Sequence, residues 1–307
     1  MILTVTANPA LDVSYAVDAL VPHGSHRVRA VRERAGGKGV NVAAVLHDMG
    51  VPATALVLLG GGTGSAVERD LRARRVRWEA VACRGETRRT VNVVSAESGD
   101  ATIFNEPGPS VSAEEVEALV ARVEAAVVAG ARVVVVCGSV PPGADPELYA
   151  QIVGVARAGG ARTLVDASGE ALLAACRAGA DVALPNRSEL LAATGAGSEA
   201  EGVAVLLELG VRCVVVSAGA EGMRAALADR RSWVARPGAV LRGNPTGAGD
   251  AAAAAVAAGL AAGLSWSDIL GDAVAWSGAA VLQPVAGAVD PVDVTRLRGS
   301  VRVLVQE

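Results

Sequence analysis

Ser112–Cys137, SAEEVEALVARVEAAVVAGARVVVVC, holds a helix and a strand back to back. Ser112 can cap the helix, Glu114 and Glu115 lie in its first turn where the helix dipole favours anions, and Gly130 stops it after Ala129. The run Val133–Cys137 that follows has no in/out alternation, as expected of a parallel strand covered by helices on both faces. The pairing recurs along the chain. Ile2–Thr6, Thr54–Leu59, Thr163–Val165, Val182–Leu184 and Cys213–Val216 read as short buried strands, with Pro146–Ala158 and Glu199–Leu209 as helices between them. This alternation predicts an α/β fold, doubly wound, with a mainly parallel central sheet and helices on both faces.

Two stretches break the rhythm. Asp12–Ala35 and Thr87–Asn105 contain strand-like segments, such as Arg27-Val-Arg-Ala-Val-Arg32 and Val91-Asn-Val-Val94, with no helix between them. They are expected to leave the main sheet as a small β-lid. No Pro/Ser-rich linker divides the chain, so one domain over residues 1–307 is expected, with lid segments at approximately 12–35 and 87–106.

Composition narrows the function. Of 307 residues, 51% are hydrophobic and 20% charged, enough to bury a large core. A net charge of −4 and 2% aromatics exclude the electrostatic footprint and stacking platforms of nucleic-acid binding, and argue against an anionic membrane partner. No secretory signal is visible at the N-terminus, and a cytoplasmic location is expected. The longest uncharged apolar run, Ala251–Leu264, falls short of the ~20 residues of a membrane span and reads as a buried helix. Cys83, Cys137, Cys176 and Cys213 are widely spaced and read as buried reduced thiols. Lys38 is the only lysine.

Four segments could carry chemistry. Asn244-Pro-Thr-Gly-Ala-Gly-Asp250 runs into the alanine-rich helix. Free amides at a helix start make an anion site, and a carboxylate there is placed to take a proton from a hydroxyl while the amides hold a phosphoryl group. The competing reading makes Thr246 or Asp250 an ordinary N-cap. Ala35-Gly-Gly-Lys-Gly-Val-Asn41 opens a helix expected over Val42–Met49 and lacks Walker A spacing. Its Lys38 and Asn41 suit polyol hydroxyls. Leu184-Pro-Asn-Arg-Ser-Glu189 puts Asn186 and Glu189 three apart, either as oxygen ligands for a hard cation or as a cap with its N3 glutamate. Val216-Ser-Ala-Gly-Ala-Glu-Gly222 places glycines at a strand end, where α/β sheets bind ligands, or simply makes a turn.

In this order the segments resemble the ribokinase-like, or PfkB, carbohydrate kinases, over essentially the whole chain. Asn8-Pro-Ala-Leu-Asp12 looks like the strand-to-lid segment, Gly36-Gly-Lys-Gly39 with Asn41 like the first signature, and Gly138-Ser-Val-Pro-Pro-Gly143 like the loop after a central strand. Asn186-x-x-Glu189 matches the magnesium motif and Thr246-Gly-Ala-Gly-Asp250 the second signature. The opening segment, Gly-Gly-Lys-Gly-x-Asn-Val and Gly85-Glu-Thr-Arg88 look most like the hexose-phosphate kinase branch, with tagatose-6-phosphate kinase and 1-phosphofructokinase.

The resemblance implies ATP-dependent phosphorylation of a ketohexose monophosphate, fructose 1-phosphate or tagatose 6-phosphate. Asp250 would be the base, and Gly247, Ala248 and Gly249 the anion hole. Asp12, Gly37, Lys38 and Asn41 would line the sugar. Arg88 with Ser139 would hold its phosphate. Asn186 and Glu189 would orient Mg²⁺, with Asn186, Ser217, Gly219, Gly222 and Ser277 on the nucleotide side. The lid could pair two copies into a homodimer. Several positions depart from the family pattern: Leu184 replaces a frequent lysine, Thr90 an asparagine, Ala251 a serine, and Arg89 could share the role of Arg88. Asp166 matches a strand-end aspartate of the family, as a distant metal or water ligand or a turn cap. Alternative functions are a kinase of an unphosphorylated sugar or nucleoside, and a non-catalytic sugar or nucleotide sensor.

Overall fold

A computed structural model describes residues 1–97 and 100–306. The chain opens with β1 (Ile2–Thr6), leaves it for β2 (Ala10–Val17) and β3 (Ala30–Gly36), and returns through α1 (Lys38–Asp48) to β4 (Ala53–Leu59), α2 (Gly61–Ala73) and β5 (Trp78–Ala82). A second excursion, β6 (Arg88–Ser95) and β7 (Ala101–Asn105), precedes α3 (Ala113–Val128) and β8 (Val133–Cys137). Alternation continues through α4 (Leu148–Ala158), β9 (Arg162–Asp166), α5 (Gly169–Arg177), β10 (Val182–Ala183), α6 (Arg187–Thr194), α7 (Glu199–Glu208) and β11 (Cys213–Ser217). The hairpin β12 (Met223–Leu227) and β13 (Ser232–Arg236), the helices α8 (Ala248–Ala262), α9 (Trp266–Val281) and α10 (Pro291–Arg298), and β14 (Arg302–Gln306) complete it.

The main sheet has the order β14-β13-β12-β11-β10-β9-β8-β1-β4-β5. It is parallel from β11 to β5 and antiparallel from β11 to β14. Helices cover both faces, and the fold is the expected mainly parallel α/β sheet. The six expected strands agree with the observed ones to within a residue at each end. The capping of α3 is also as read: Ser112 Oγ accepts from Glu115 N at 3.3 Å, and Glu115 Oε2 accepts from Ser112 N at 2.8 Å, a reciprocal box. Two expected helix starts are corrected. The helix read from Pro146 begins at Leu148. The helix read from Val42 starts at Lys38, so Asn41 lies in its first turn rather than in the preceding loop.

The two excursions form a separate four-stranded sheet, β3-β2-β6-β7. Its inner residues Leu11, Val13 and Ala35 pack with Val67 and Leu71 of α2, whereas β7 is exposed throughout. Under the main sheet, Ala251–Ala257 of α8 are wholly buried against α1 and α9. Side chains this small let helices approach closely, which is why the alanine-rich run belongs to the core. Among the described residues no single helix is long and apolar enough to cross a membrane. All four cysteines are buried and free.

Candidate active site

The parallel strands end side by side, and their C-terminal ends deliver Asn8, Ser139, Asp166, Asn186 and Ser217 to one edge of the sheet, where ligands of α/β folds bind. Facing that edge is the N-terminus of α8. Gly247 is its N-cap with φ +85°, a left-handed conformation that other residues adopt at a cost, and Ala286 packs where its Cβ would lie. Asp250 therefore sits in the first turn of α8 and is not the cap. The N–H groups of Gly247 and Gly249 carry no hydrogen bond among the described residues, while that of Ala248 donates to Pro245 O at 3.2 Å. Two of the three expected anion-hole amides are free, and the third is engaged within its own turn.

Asp250 is buried and accepts a hydrogen bond from Asn41 Nδ2 at 2.8 Å. Burial, then the charge of Asp166, pushes its pKa up to about 7, against the Asn41 hydrogen bond and the Lys38 charge. A carboxyl poised there at neutral pH suits proton acceptance.

Lys38, at the start of α1, places Nζ 2.7 Å from Asp166 Oδ1 and 3.5 Å from Glu189 Oε1. Burial alone would lower its pKa, but the Asp166 carboxylate and its hydrogen bond, with Glu189, outweigh that and push it up, so the ammonium stays charged. Asp166 Oδ1 is thus tied to a cation. Asn186 and Glu189 form a capping box on α6: Asn186 Oδ1 accepts from Glu189 N at 2.8 Å and from Ser188 Oγ at 2.6 Å, and Glu189 Oε2 accepts from Asn186 N at 3.0 Å. The amide oxygen is occupied by the cap, and Glu189 Oε1 is the oxygen turned towards Lys38.

Beside the four-stranded sheet a cavity of about 730 Å³ is lined by Asn8, Gly37, Lys38, Arg88, Ser139 and Glu189, among others. Arg88 Nε donates to Asn8 O at 3.2 Å, and Nη1 lies 3.4 Å from Thr90 Oγ1 and from Glu106 O. The preceding Thr87 is buried and bonded to Gly60 in both directions, which fixes where Arg88 leaves the core. Arg89 is exposed and does not line this cavity; its backbone N–H donates to Glu106 Oε2. Asp12 lines a neighbouring cavity of about 500 Å³ that also reaches Asn244 and Thr246. Burial raises its pKa to about 6, against Arg88, Thr90 and Arg34. Thr90 thus interacts with both Arg88 and Asp12, where an asparagine was expected.

The residues expected on a nucleotide side are more dispersed. Ser217 bridges to Asn186 at the sheet edge. Gly219 starts a single 3₁₀ turn ending at Glu221, and Gly222 lines a cavity of about 290 Å³ with Arg187, Arg224 and Arg236. Ser277 is half-buried on α9 and lines none of these three cavities. Leu184 is fully packed at the end of β10, so its replacement of a cationic residue is a core substitution.

Sequence reasoning missed three contributors. Asn8 joins Ser139 and the lid. Arg34 Nη2 and Arg74 Nη2 both donate to Gly287 O, at 2.8 and 3.0 Å. Gly287 in turn abuts Asn41.

The family model for the pfkB family carbohydrate kinases matches residues 6–292. The chain is 38% identical to a 1-phosphofructokinase of Xanthomonas campestris pv. campestris, over 81% of this chain and 80% of that protein. It is 34% identical to a tagatose-6-phosphate kinase of Staphylococcus epidermidis, over 56% of this chain and 54% of that protein. In three dimensions it is similar to phosphofructokinase-2 from Escherichia coli in complex with potassium, with a TM-score of 0.90 and 29% identity over 97% of this chain and 98% of the other. With the two signatures meeting at Asn41 and Asp250, and a family match over most of its length, the chain belongs to the pfkB family of carbohydrate kinases.

Proposed function

We propose that this protein transfers the γ-phosphoryl group of ATP to a hydroxyl of a ketohexose monophosphate, with fructose 1-phosphate as its substrate. The observation that carries this reading is the buried Asp250, held by Asn41 at the foot of a turn with two free amides. The similarity to a 1-phosphofructokinase favours fructose 1-phosphate over tagatose 6-phosphate.

In this mechanism Asp250 accepts the proton as the sugar oxygen forms its bond to the γ-phosphorus, and the bond to the β–γ bridging oxygen breaks to release ADP. The Gly247 and Gly249 amides face the charge on the transferring group, and the Ala248 amide joins them if its bond to Pro245 O opens. Such transfer depends mainly on positioning and charge stabilisation. Asn41 and Asp12 hold sugar hydroxyls, together with the Gly37 backbone. Arg88 and Ser139 hold the phosphate already on the sugar, Lys38 adds a cation to the same cavity, and Ser217, Gly219, Gly222 and Ser277 belong to the nucleotide side.

The donor set fits a hydrated Mg²⁺ better than a directly ligated one. Asn186 Oδ1 already accepts two hydrogen bonds, which leaves Glu189 Oε1 to orient a bound water. Bound with ATP, the ion would neutralise phosphate charge. A single domain whose lid covers the sugar follows from the same reading. So does a homodimer through the exposed β7, where Ile103 and Phe104 are 47% and 55% accessible. A cytoplasmic location suits an ATP-consuming protein with four buried free cysteines.

The test is a turnover screen with ATP·Mg²⁺ over fructose 1-phosphate, tagatose 6-phosphate, fructose 6-phosphate, free fructose and a nucleoside. Highest kcat/KM on fructose 1-phosphate is expected. A tagatose 6-phosphate optimum would reassign the substrate, and an absence of product from any acceptor would leave a sensor.

A further inference from the structure

Asn8 lies between β1 and β2 and is only 6% exposed. Its side-chain amide and its backbone oxygen together meet three parts of the molecule that are remote in sequence. Nδ2 donates to Pro107 O at 3.0 Å and to Ser139 Oγ at 3.1 Å, across 99 and 131 residues. Pro107 O can only accept, which orients the amide: the atom facing it must be the nitrogen. The backbone oxygen of Asn8 takes the Arg88 Nε hydrogen bond at 3.2 Å. Its Oδ1 is buried with no hydrogen-bond partner and rests against Gly108, where a Cβ would come within 2.2 Å of it. Gly108 has φ +95°, so both its conformation and this approach exclude a side chain.

A buried acceptor without a partner costs stability and persists where the surroundings impose it. Here they do. The nitrogen is claimed by the lid loop and by the loop after β8, and the oxygen must point at Gly108. The plainer reading, a loop asparagine tying two turns together, accounts for the bonds to Pro107 and Ser139 taken singly. It does not account for the convergence on Ser139 and Arg88, the two side chains assigned to the phosphate of the sugar.

We infer that Asn8 is a positioning residue for the acceptor phosphate: its side chain and backbone set Ser139 and Arg88 in register with each other, and its bond to Pro107 makes that register depend on the lid loop being seated. This rests on the proposed reading of a phosphorylated acceptor. Asn8 itself need not touch the substrate; it restricts the hydroxyl and the guanidinium to one relative geometry. Such preorganisation lowers KM for a phosphorylated acceptor and gives a free sugar nothing.

The experiment compares wild type, Asn8→Ala, Arg88→Ala and the double variant, with fructose 1-phosphate and free fructose as acceptors. Loss of a bond worth about 1.4 kcal/mol corresponds to tenfold, so Asn8→Ala should raise KM for fructose 1-phosphate by roughly tenfold or more. Its kcat should stay within about twofold and its KM for ATP should not move. The preference for phosphorylated over free sugar should fall by the same factor, and adding Asn8→Ala to Arg88→Ala should raise KM little further. A merely structural role would lower both acceptors' turnover alike.

A preference unchanged in Asn8→Ala, or effects of the two substitutions that multiply in the double variant, overturns the inference alone. A wild-type protein that turns over free fructose as well as its phosphate overturns the substrate reading and the inference with it. If Asn8→Ala does not fold, Asn8→Ser keeps a polar side chain too short to reach Pro107 O and Ser139 Oγ together and should give the same KM-only change, and an unchanged KM in that variant overturns the inference.

Discussion

Asn41 Nδ2 and Asp250 Oδ2 lie 2.8 Å apart although 209 residues separate them, and this bond joins the two signatures of the chain. Since Asn41 donates to the carboxylate, it favours the charged form, while burial and then Asp166 oppose it strongly enough to leave the pKa at about 7. In the proposed role of base, Asp250 would work only when deprotonated. The pH profile of kcat/KM should therefore fall away below about pH 7 and level off above it. Asp250→Asn, which keeps the shape and the hydrogen bond, should lose roughly 10²–10⁴-fold in kcat. Steady-state kinetics from pH 5.5 to 9 check both; a flat profile or an active asparagine variant removes Asp250 from the role of base.

The same carboxyl has an opposite effect on stability. Its pKa in the folded protein is raised above the unfolded value of about 3.9. The folded state thus holds the proton more tightly than the unfolded one. The stability it contributes is fully present below about pH 4 and is lost as pH rises through about 7. An Asp250→Asn protein escapes that loss. Its melting temperature should exceed that of wild type at pH 8, and the gap should shrink steadily towards pH 4. Calorimetry at four or five pH values would show it; a gap that does not change with pH would mean that Asp250 is not held protonated by its surroundings.

Arg88 and Arg89 are adjacent in sequence but differ in environment. Arg88 is held by Asn8 O and lines the large cavity, whereas Arg89 is exposed. Arg88→Ala should raise KM for the sugar phosphate roughly 10- to 100-fold, the range of a charge-assisted phosphate contact. Arg88→Lys should recover only part of this because the planar fork is lost. Arg89→Ala should leave KM within about twofold. Equal effects at the two positions would show that the phosphate is held elsewhere.

Lys38 compensates a carboxylate that is 5% exposed. Removing one member of a buried pair costs about 3–5 kcal/mol, but the Lys38 side chain is 37% exposed and solvent screening reduces the figure. Lys38→Met should therefore destabilise the protein by about 2 kcal/mol. Lys38→Met with Asp166→Asn should recover most of that, because the carboxylate left without its cation is then only the more exposed and more distant Glu189. Urea unfolding of the three proteins tests the pair; equal destabilisation by the single and the double variant would show that the two side chains are not coupled.

Local and distant information separate cleanly in this chain. Val133–Cys137 and Ser112–Ala129 could be read from sequence because a strand covered on both faces and a capped amphipathic helix write their geometry into consecutive residues. The helix from Lys38 was placed four residues late because Gly39 and Lys38 look like loop residues, and only the backbone turn at Gly37 starts the helix there. The helix Gly61–Ala73 went unread behind Gly60-Gly-Gly-Thr63; its first turn is held by Glu86, which accepts from Thr63 N at 2.6 Å. In the site, Asp250, Asn41 and the Asn186–Glu189 pair stand in recognisable motifs. Arg34 and Arg74 do not, and Asn8 stands in the Asn8–Asp12 motif without its role being legible there: their partners lie about a hundred residues or more away, and nothing at those positions in the sequence marks a hydrogen bond to a distant carbonyl.

Arginine elsewhere takes every cationic position, so Lys38 is the only side-chain amine in the molecule. Its Nζ is bonded to Asp166 beside the cavity that holds Arg88 and Ser139. Amine-directed reagents, which on most proteins label a scattered surface population, would here meet only two amines, the α-amino group of Met1 and Lys38 Nζ inside the cavity. Because Asp166 keeps the Lys38 ammonium charged, labelling at that position would rise only as the ion pair loosens, and the rate of side-chain labelling would follow the integrity of that one contact.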